Sequence, residues 1–245
     1  MPAIVELKLK PERTSGYVPT TTQLHGLACV LFEGGPGGSG GDAAHDGQEK
    51  PFAVWPLVGL GQDWLLRTAW LSHGMPQSVL AACGQVRVGP MPCAVTDLAL
   101  KPMSFGELAS GPPCTVTRVT FRSPTYFSHN GSRVVLPDPR LIVGSWRRRW
   151  NASVSTESDL MIPDESWREL NEALLLTEYD LHTERRDNGY GKQVQGFTGT
   201  AAIRLDQGTS GEAQHMFAAL SRFAEFSGTG AQTTHGFGAT SVTVI

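Results

Sequence analysis

One succession of secondary-structure signals is spelled twice in this chain, and it constrains the fold more than any single motif. Residues 4–10, Ile-Val-Glu-Leu-Lys-Leu-Lys, alternate apolar and polar as a half-buried strand does. Thr20 or Thr21 can cap a helix running to about Glu33, with Leu24, Leu27, Ala28 and Leu31 on one face. Residues 51–58 and 63–71 read as two strands joined by Gly59-Leu60-Gly61-Gln62. A short proline-opened helix follows at 76–83, then strand at 86–88 and 93–100. After Pro112-Pro113 the order begins again with a strand at 115–121 and a hairpin signal at Asn130-Gly131. Helices at 137–150 and 164–175, strands at 175–183 and 194–205, a helix at 213–226 and a closing strand at 240–245 complete it. Each half spells β-α-β-β-α-β with insertions. The predicted fold is therefore α+β: two tandem ferredoxin-like domains, 1–111 and 112–245, each a four-stranded antiparallel sheet backed by two helices. Such a sheet is also the platform of the common single-strand RNA-binding module.

Composition narrows the setting. A hydrophobic content of 40% and a charged content of 18% describe an ordinary globular protein. The first ten residues place charges inside what would be a signal sequence's apolar core, and no apolar run approaches membrane-spanning length, so a cytoplasmic protein is expected. The four cysteines, at 29, 83, 93 and 114, form no CxxC pair and read as small apolar residues rather than a disulfide frame. A net charge of −3 conceals segregation. Between 121 and 151, six arginines (122, 133, 140, 147, 148 and 149) face Asp138 alone, whereas 152–187 is strongly acidic. That split suits one phosphate-binding face and one solvated face.

The segment 226–245 carries glycines at 228, 230, 236 and 238 around Thr229, Thr233 and Thr234. Glycine there frees the backbone to approach a ligand, and amides exposed this way can hold phosphate oxygens. A dinucleotide fingerprint needs a strand before the turn and a helix after it; here the order is reversed. No GxxxxGK[ST] loop occurs.

Several local patterns then coincide: Leu24-His25-Gly26, Lys50-Pro51-Phe52, residues 121–125 (Phe-Arg-Ser-Pro-Thr), Arg148-Arg149-Trp150-Asn151, Gly196-Phe197-Thr198-Gly199 and the glycine loop. In this order they resemble the CRISPR-associated, repeat-processing endoribonucleases of the RAMP superfamily, nearly end to end. The resemblance implies cleavage of precursor CRISPR RNA within its repeats, with no metal or other cofactor. The 2′-hydroxyl attacks the adjacent phosphorus, leaving a 2′,3′-cyclic phosphate and a 5′-hydroxyl. This chemistry needs a base, an acid and positive charge near the phosphorane.

In that family a histidine shortly before the Lys-Pro-Phe stretch commonly acts; the matching residue is His45, in the glycine-rich segment 34–50, with Lys50 as the cation. His25, on the first helix, is the rival, although a histidine there also reads as a packed or capping residue. RNA contact is expected from Gly228, Gly230, Thr234, His235, Gly236 and Gly238. Arg147, Arg148 and Arg149, pointing outward between Trp146 and Trp150, and Arg185, Arg186 and Lys192 around a hairpin loop are further candidates. The expected partners are CRISPR repeat RNA and other CRISPR effector subunits, with no membrane. A non-catalytic RAMP subunit that holds CRISPR RNA in an effector complex is the alternative.

Overall fold

The computed structural model describes residues 1–13, 16–34, 50–82, 84–129, 131–154 and 158–245. The first half contains β1 (Ala3–Pro11), α1 (Thr21–Glu33), β2 (Phe52–Val54), β3 (Val58–Leu60), β4 (Asp63–Trp70), α2 (Gln77–Ala81), β5 (Gln85–Val88) and β6 (Met91–Pro102). Its sheet runs β2-β4-β1-β6-β5, with β3 also on β4. The first strand thus lies between the third and fourth strands of the βαββαβ unit, and the pairings are antiparallel. This is the ferredoxin-like order, widened by β3 and β5 to six strands rather than the expected four.

Both additions have a local cause. The single strand expected at 51–58 breaks at Trp55-Pro56, because proline has no N–H to give the ladder. The strand resumes as β3, still paired with β4. Gly89, at φ 60, turns the chain between β5 and β6 into a hairpin.

The second half contains α3 (Phe105–Ser110), β7 (Val116–Thr125), β8 (Phe127–His129), β9 (Ser132–Val134), α4 (Pro139–Ser153), α5 (Asp164–Ala173), β10 (Leu174–Asp187), β11 (Gln193–Leu205), α6 (Gly211–Ser227) and β12 (Thr240–Val244). The sheet order β10-β11-β7-β12 repeats the ferredoxin-like arrangement, with β8–β9 as a separate hairpin. Helix α3 was not expected, yet its start carries a reciprocal cap: Ser104 Oγ accepts from the Glu107 amide, and the Glu107 carboxylate accepts from the Ser104 amide. Although α3 precedes residue 112, Phe105 packs edge-on against Trp150 and at a tilt against Phe223, both of the second unit.

One core lies between α1 and the face of the first sheet bearing Val5, Leu7 and Leu9. The larger core lies under α4 and α6, and it takes in Ile4, Ala53, Trp55, Ala69 and Leu71 from the other face of the first sheet. The two units therefore share buried apolar surface. Cys93 and Cys114 are buried free thiols and Cys29 is half-buried; Cys83 lies outside the described residues. No described helix is long and apolar enough to cross a membrane.

Candidate active site

The segment after α6 folds back on itself. The Thr229 amide donates to the Gly238 carbonyl at 2.8 Å, Gly238 to Pro124 at 3.1 Å, and Ala231 to Tyr126 at 2.9 Å. The Gly230 amide donates to Ser145 Oγ, and the Trp146 indole donates to Thr229 Oγ1. A Cβ on Gly230 would overlap the Tyr126 carbonyl, and one on Gly238 the Thr229 carbonyl. These glycines permit closure of the loop. The expectation that their amides open toward phosphate is corrected here: the N–H groups of 228–231, 235 and 237–239 donate within the protein.

What the closed loop presents is a single-turn 3-10 segment, Thr233–His235, laid on α1 and β2. Gln232 leads into it at φ 55, the one positive φ outside glycine among the described residues. The His235 ring stacks on His25 with centroids 3.9 Å apart and planes 9° from parallel. His25 Nδ1 lies 2.9 Å from the Thr234 carbonyl oxygen. A carbonyl only accepts, so Nδ1 carries the hydrogen and Nε2 is the acceptor of the neutral ring. Nε2 is 3.5 Å from Cys29 Sγ, and Lys50 Nζ stands 3.4 Å from the same sulfur and 2.8 Å from the Glu33 carboxylate.

Charge in this cluster is unevenly held. Burial lowers the Lys50 pKa, but the Glu33 hydrogen bond and the Cys29 and Glu33 charges outweigh it, and the net shift is upward. Lys50 is a cation at neutral pH. Burial, and then the charges of His25 and Lys50, push His235 down from 6.5 to about 4. His235 is therefore a neutral imidazole at pH 7, and its Nδ1 lies 3.0 Å from the Thr234 hydroxyl. Because its folded pKa lies below the unfolded value, the unfolded chain takes up a proton first. Stability is then lost as pH falls from about 6.5 toward 4. Melting temperatures across that window should drop less steeply for His235→Gln than for the wild type; parallel curves would contradict the buried neutral ring.

The arginines behave differently from one another. Arg149 is 7% exposed and points inward, against expectation, donating to Thr233 Oγ1 and to the Phe52 carbonyl. It follows Trp146 by three positions and so shares the helix's inner face. Its guanidinium ties the 3-10 turn to β2. Arg147, also expected outward, lies over Trp167 and pairs with Asp164 and the Ile162 carbonyl. Arg148 alone of the three is exposed. In the β10–β11 hairpin, Arg186 reaches the Gly236 carbonyl at 3.4 Å, whereas Arg185 and Lys192 are exposed. The hairpin tip rests on α1, where Thr21 and Thr22 hydroxyls donate to the Asp187 and Gly189 carbonyls.

An open cleft of about 390 Å³ results, lined by His25, Lys50, Arg148, Tyr190 and the 230–235 segment. Two imidazoles, an ammonium and an exposed guanidinium converge on it. A sequence profile described as CRISPR-associated endoribonuclease Cas6 matches residues 119–240. Two Mycobacterium tuberculosis proteins of that description, from strains CDC 1551 and H37Rv, are 30% identical over 160 residues. That alignment covers 63% of this chain and 49% of theirs, so the chain spans about half the length of the curated relatives it matches. A solved Cas6 product complex superposes with a TM-score of 0.80 at 25% identity, covering 99% of both chains. Thermus thermophilus Cas6 does so with a TM-score of 0.74 at 28% identity, covering 99% of this chain and 98% of that one. The chain belongs to the Cas6 family.

Within this Cas6-family chain the profile match contains the glycine loop and Arg147–Arg149 but not His25 or Lys50. Those two come from the first unit, and the fold brings them to the loop. His45 lies outside the described residues. Sequence reasoning did not pair His235 with His25, nor find Glu33, Cys29 and Tyr190 beside them. One signal was available: His25, Cys29 and Glu33 are spaced i, i+4, i+8, a single stripe along α1.

Proposed function

We propose that this chain is a metal-independent endoribonuclease that cuts precursor CRISPR RNA within its repeats, in the cleft between His25, Lys50 and Arg148. The supporting observation is the stacked His25–His235 pair, with His25 Nδ1 held on the Thr234 carbonyl and Nε2 on the side of Cys29 and Lys50, beside a lysine kept charged. In this reading the 2′-hydroxyl oxygen attacks phosphorus while its proton passes to an imidazole. The bond to the 5′-oxygen breaks and that oxygen takes up a proton. The products are a 2′,3′-cyclic phosphate and a 5′-hydroxyl. His25 Nε2 is the described proton-transfer group; His45 is the second one that the family resemblance implies. Lys50 and Arg148 offset the charge gathering on the phosphorane oxygens. Arg185 and Lys192 on the hairpin, together with exposed Tyr190, extend the surface along which the RNA backbone and an unstacked base would run.

The test is incubation of the purified protein with labelled repeat RNA from its own host in excess EDTA. Cutting at one position in the repeat is the expected result. RNA that is bound and never cut would identify a non-catalytic RAMP subunit instead, and cutting that stops in EDTA would exclude the metal-free route.

A further inference from the structure

A second and larger cleft, about 600 Å³, opens on the far side of the 3-10 turn and shares His235 with the first. Its character is different. Tyr17, Leu24, Leu57 and Trp64 line it, while Arg186 and Asp187 of the hairpin stand on its polar side. The Tyr17 and Trp64 rings are 6.3 Å apart and tilted by 41°. The Tyr17 hydroxyl is anchored on Gln23 Oε1 at 2.6 Å, so the ring is held in place. Gly59 faces Trp64 across the β3–β4 ladder, and a Cβ there would meet nothing within 4 Å. A side chain at position 59 would thus have room beside Trp64, and the anchored Tyr17 ring adds a second aromatic surface to the cleft.

A phosphodiester backbone would lose hydration against such walls, and the cation on the polar side, Arg186, is already engaged by the Gly236 carbonyl and the Glu184 carboxylate. A nucleobase, with flat apolar faces and polar edges, fits both the rings and the polar side. The cleft of His25 and Lys50 has the opposite chemistry, and His235 lines both. We propose that the larger cleft receives the base of a nucleotide flanking the cut phosphate, unstacked from the RNA and laid against Trp64 and Tyr17. This rests on the assignment of cleavage to the His25 cleft. Cutting would then require local unstacking, so repeats whose bases at that step are firmly paired would be cut slowly.

Affinity for a set of repeat RNAs tests this, each RNA lacking one base and held uncut by a 2′-deoxy sugar at the cleavage nucleotide. One abasic position next to the cut should weaken wild-type binding by roughly 10-fold, the scale of one base–aromatic stack. The same lesion should cost little in Trp64→Leu, which removes the platform, or in Gly59→Leu, which fills the chamber without removing a core side chain. Equal losses in wild type and Gly59→Leu at every position would overturn the proposal, as would coupling confined to bases far from the cut. Cutting without such coupling removes the base site and leaves the nuclease. Coupling at one position in an RNA that is never cut supports the base site and removes the nuclease.

Discussion

His25→Ala is expected to slow single-turnover cleavage of repeat RNA by about 10²–10⁴-fold, the range that one positioned acid or base supplies. Affinity for uncut RNA should change only a few-fold, because the cationic residues of the cleft remain. The ring is oriented rather than merely present: Nδ1 is fixed on the Thr234 carbonyl at 2.9 Å, which leaves Nε2 as the group able to exchange a proton. A purely structural role would show differently. The variant would then lose thermal stability in proportion to its activity, and RNA binding would fall with it. His25 also lowers the His235 pKa. Its removal should therefore raise that pKa and shallow the loss of stability below pH 6.5, a readout independent of cleavage. Full-rate cutting by His25→Ala, with the loss appearing only in His45→Ala, would move the chemistry to His45.

Gly238→Ala is expected to cost the fold roughly 3 kcal/mol or more, a lowering of melting temperature by about 6–12 °C for a chain of this size. Gly238 sits at φ 64, and a Cβ would run into the Thr229 carbonyl. That neighbour is backbone and cannot swing aside. Both ends of the peptide are committed: the Gly238 amide donates to Pro124, and its carbonyl accepts from the Thr229 amide and the Thr240 hydroxyl. Relief of the clash must shift the loop that carries His235, so cleavage should fall along with stability. Gly211→Ala is the control. It lies at the start of α6, where a Cβ meets open space, and its melting temperature should stay within a degree or two of wild type or rise. A Gly238→Ala protein as stable as Gly211→Ala would mean that the loop is looser than its hydrogen bonds imply.

The doubled β-α-β-β-α-β order was legible because alternation, caps and glycine or proline punctuation are local signals. They survive even where a strand is split, as at Pro56. Helix α3 was also legible in principle, from Ser104 and Glu107 at capping-box spacing, but so short an element carries little periodicity. The inward turn of Arg149 follows from its position three residues after Trp146; charge alone suggested the opposite. The glycine loop misled in a specific way. Glycine allows close approach to a ligand and close approach to the chain's own carbonyls equally well, and here the second use dominates. The His25–His235 stack could not be read from local pattern at all. It joins residues 210 positions apart through the contact of two units, and only the packing of the 3-10 turn on α1 brings them together.

The end groups of the RNA fragments made in excess EDTA test the central claim most directly. Mass spectrometry of the upstream fragment should find a 2′,3′-cyclic phosphate and the downstream fragment should begin with a 5′-hydroxyl, with both absent when the cleavage nucleotide carries a 2′-deoxy sugar. A 3′-hydroxyl paired with a 5′-phosphate, or undiminished cutting of the deoxy-substituted RNA, would show that the 2′-hydroxyl is not the nucleophile and that the His25 cleft does not work in this way.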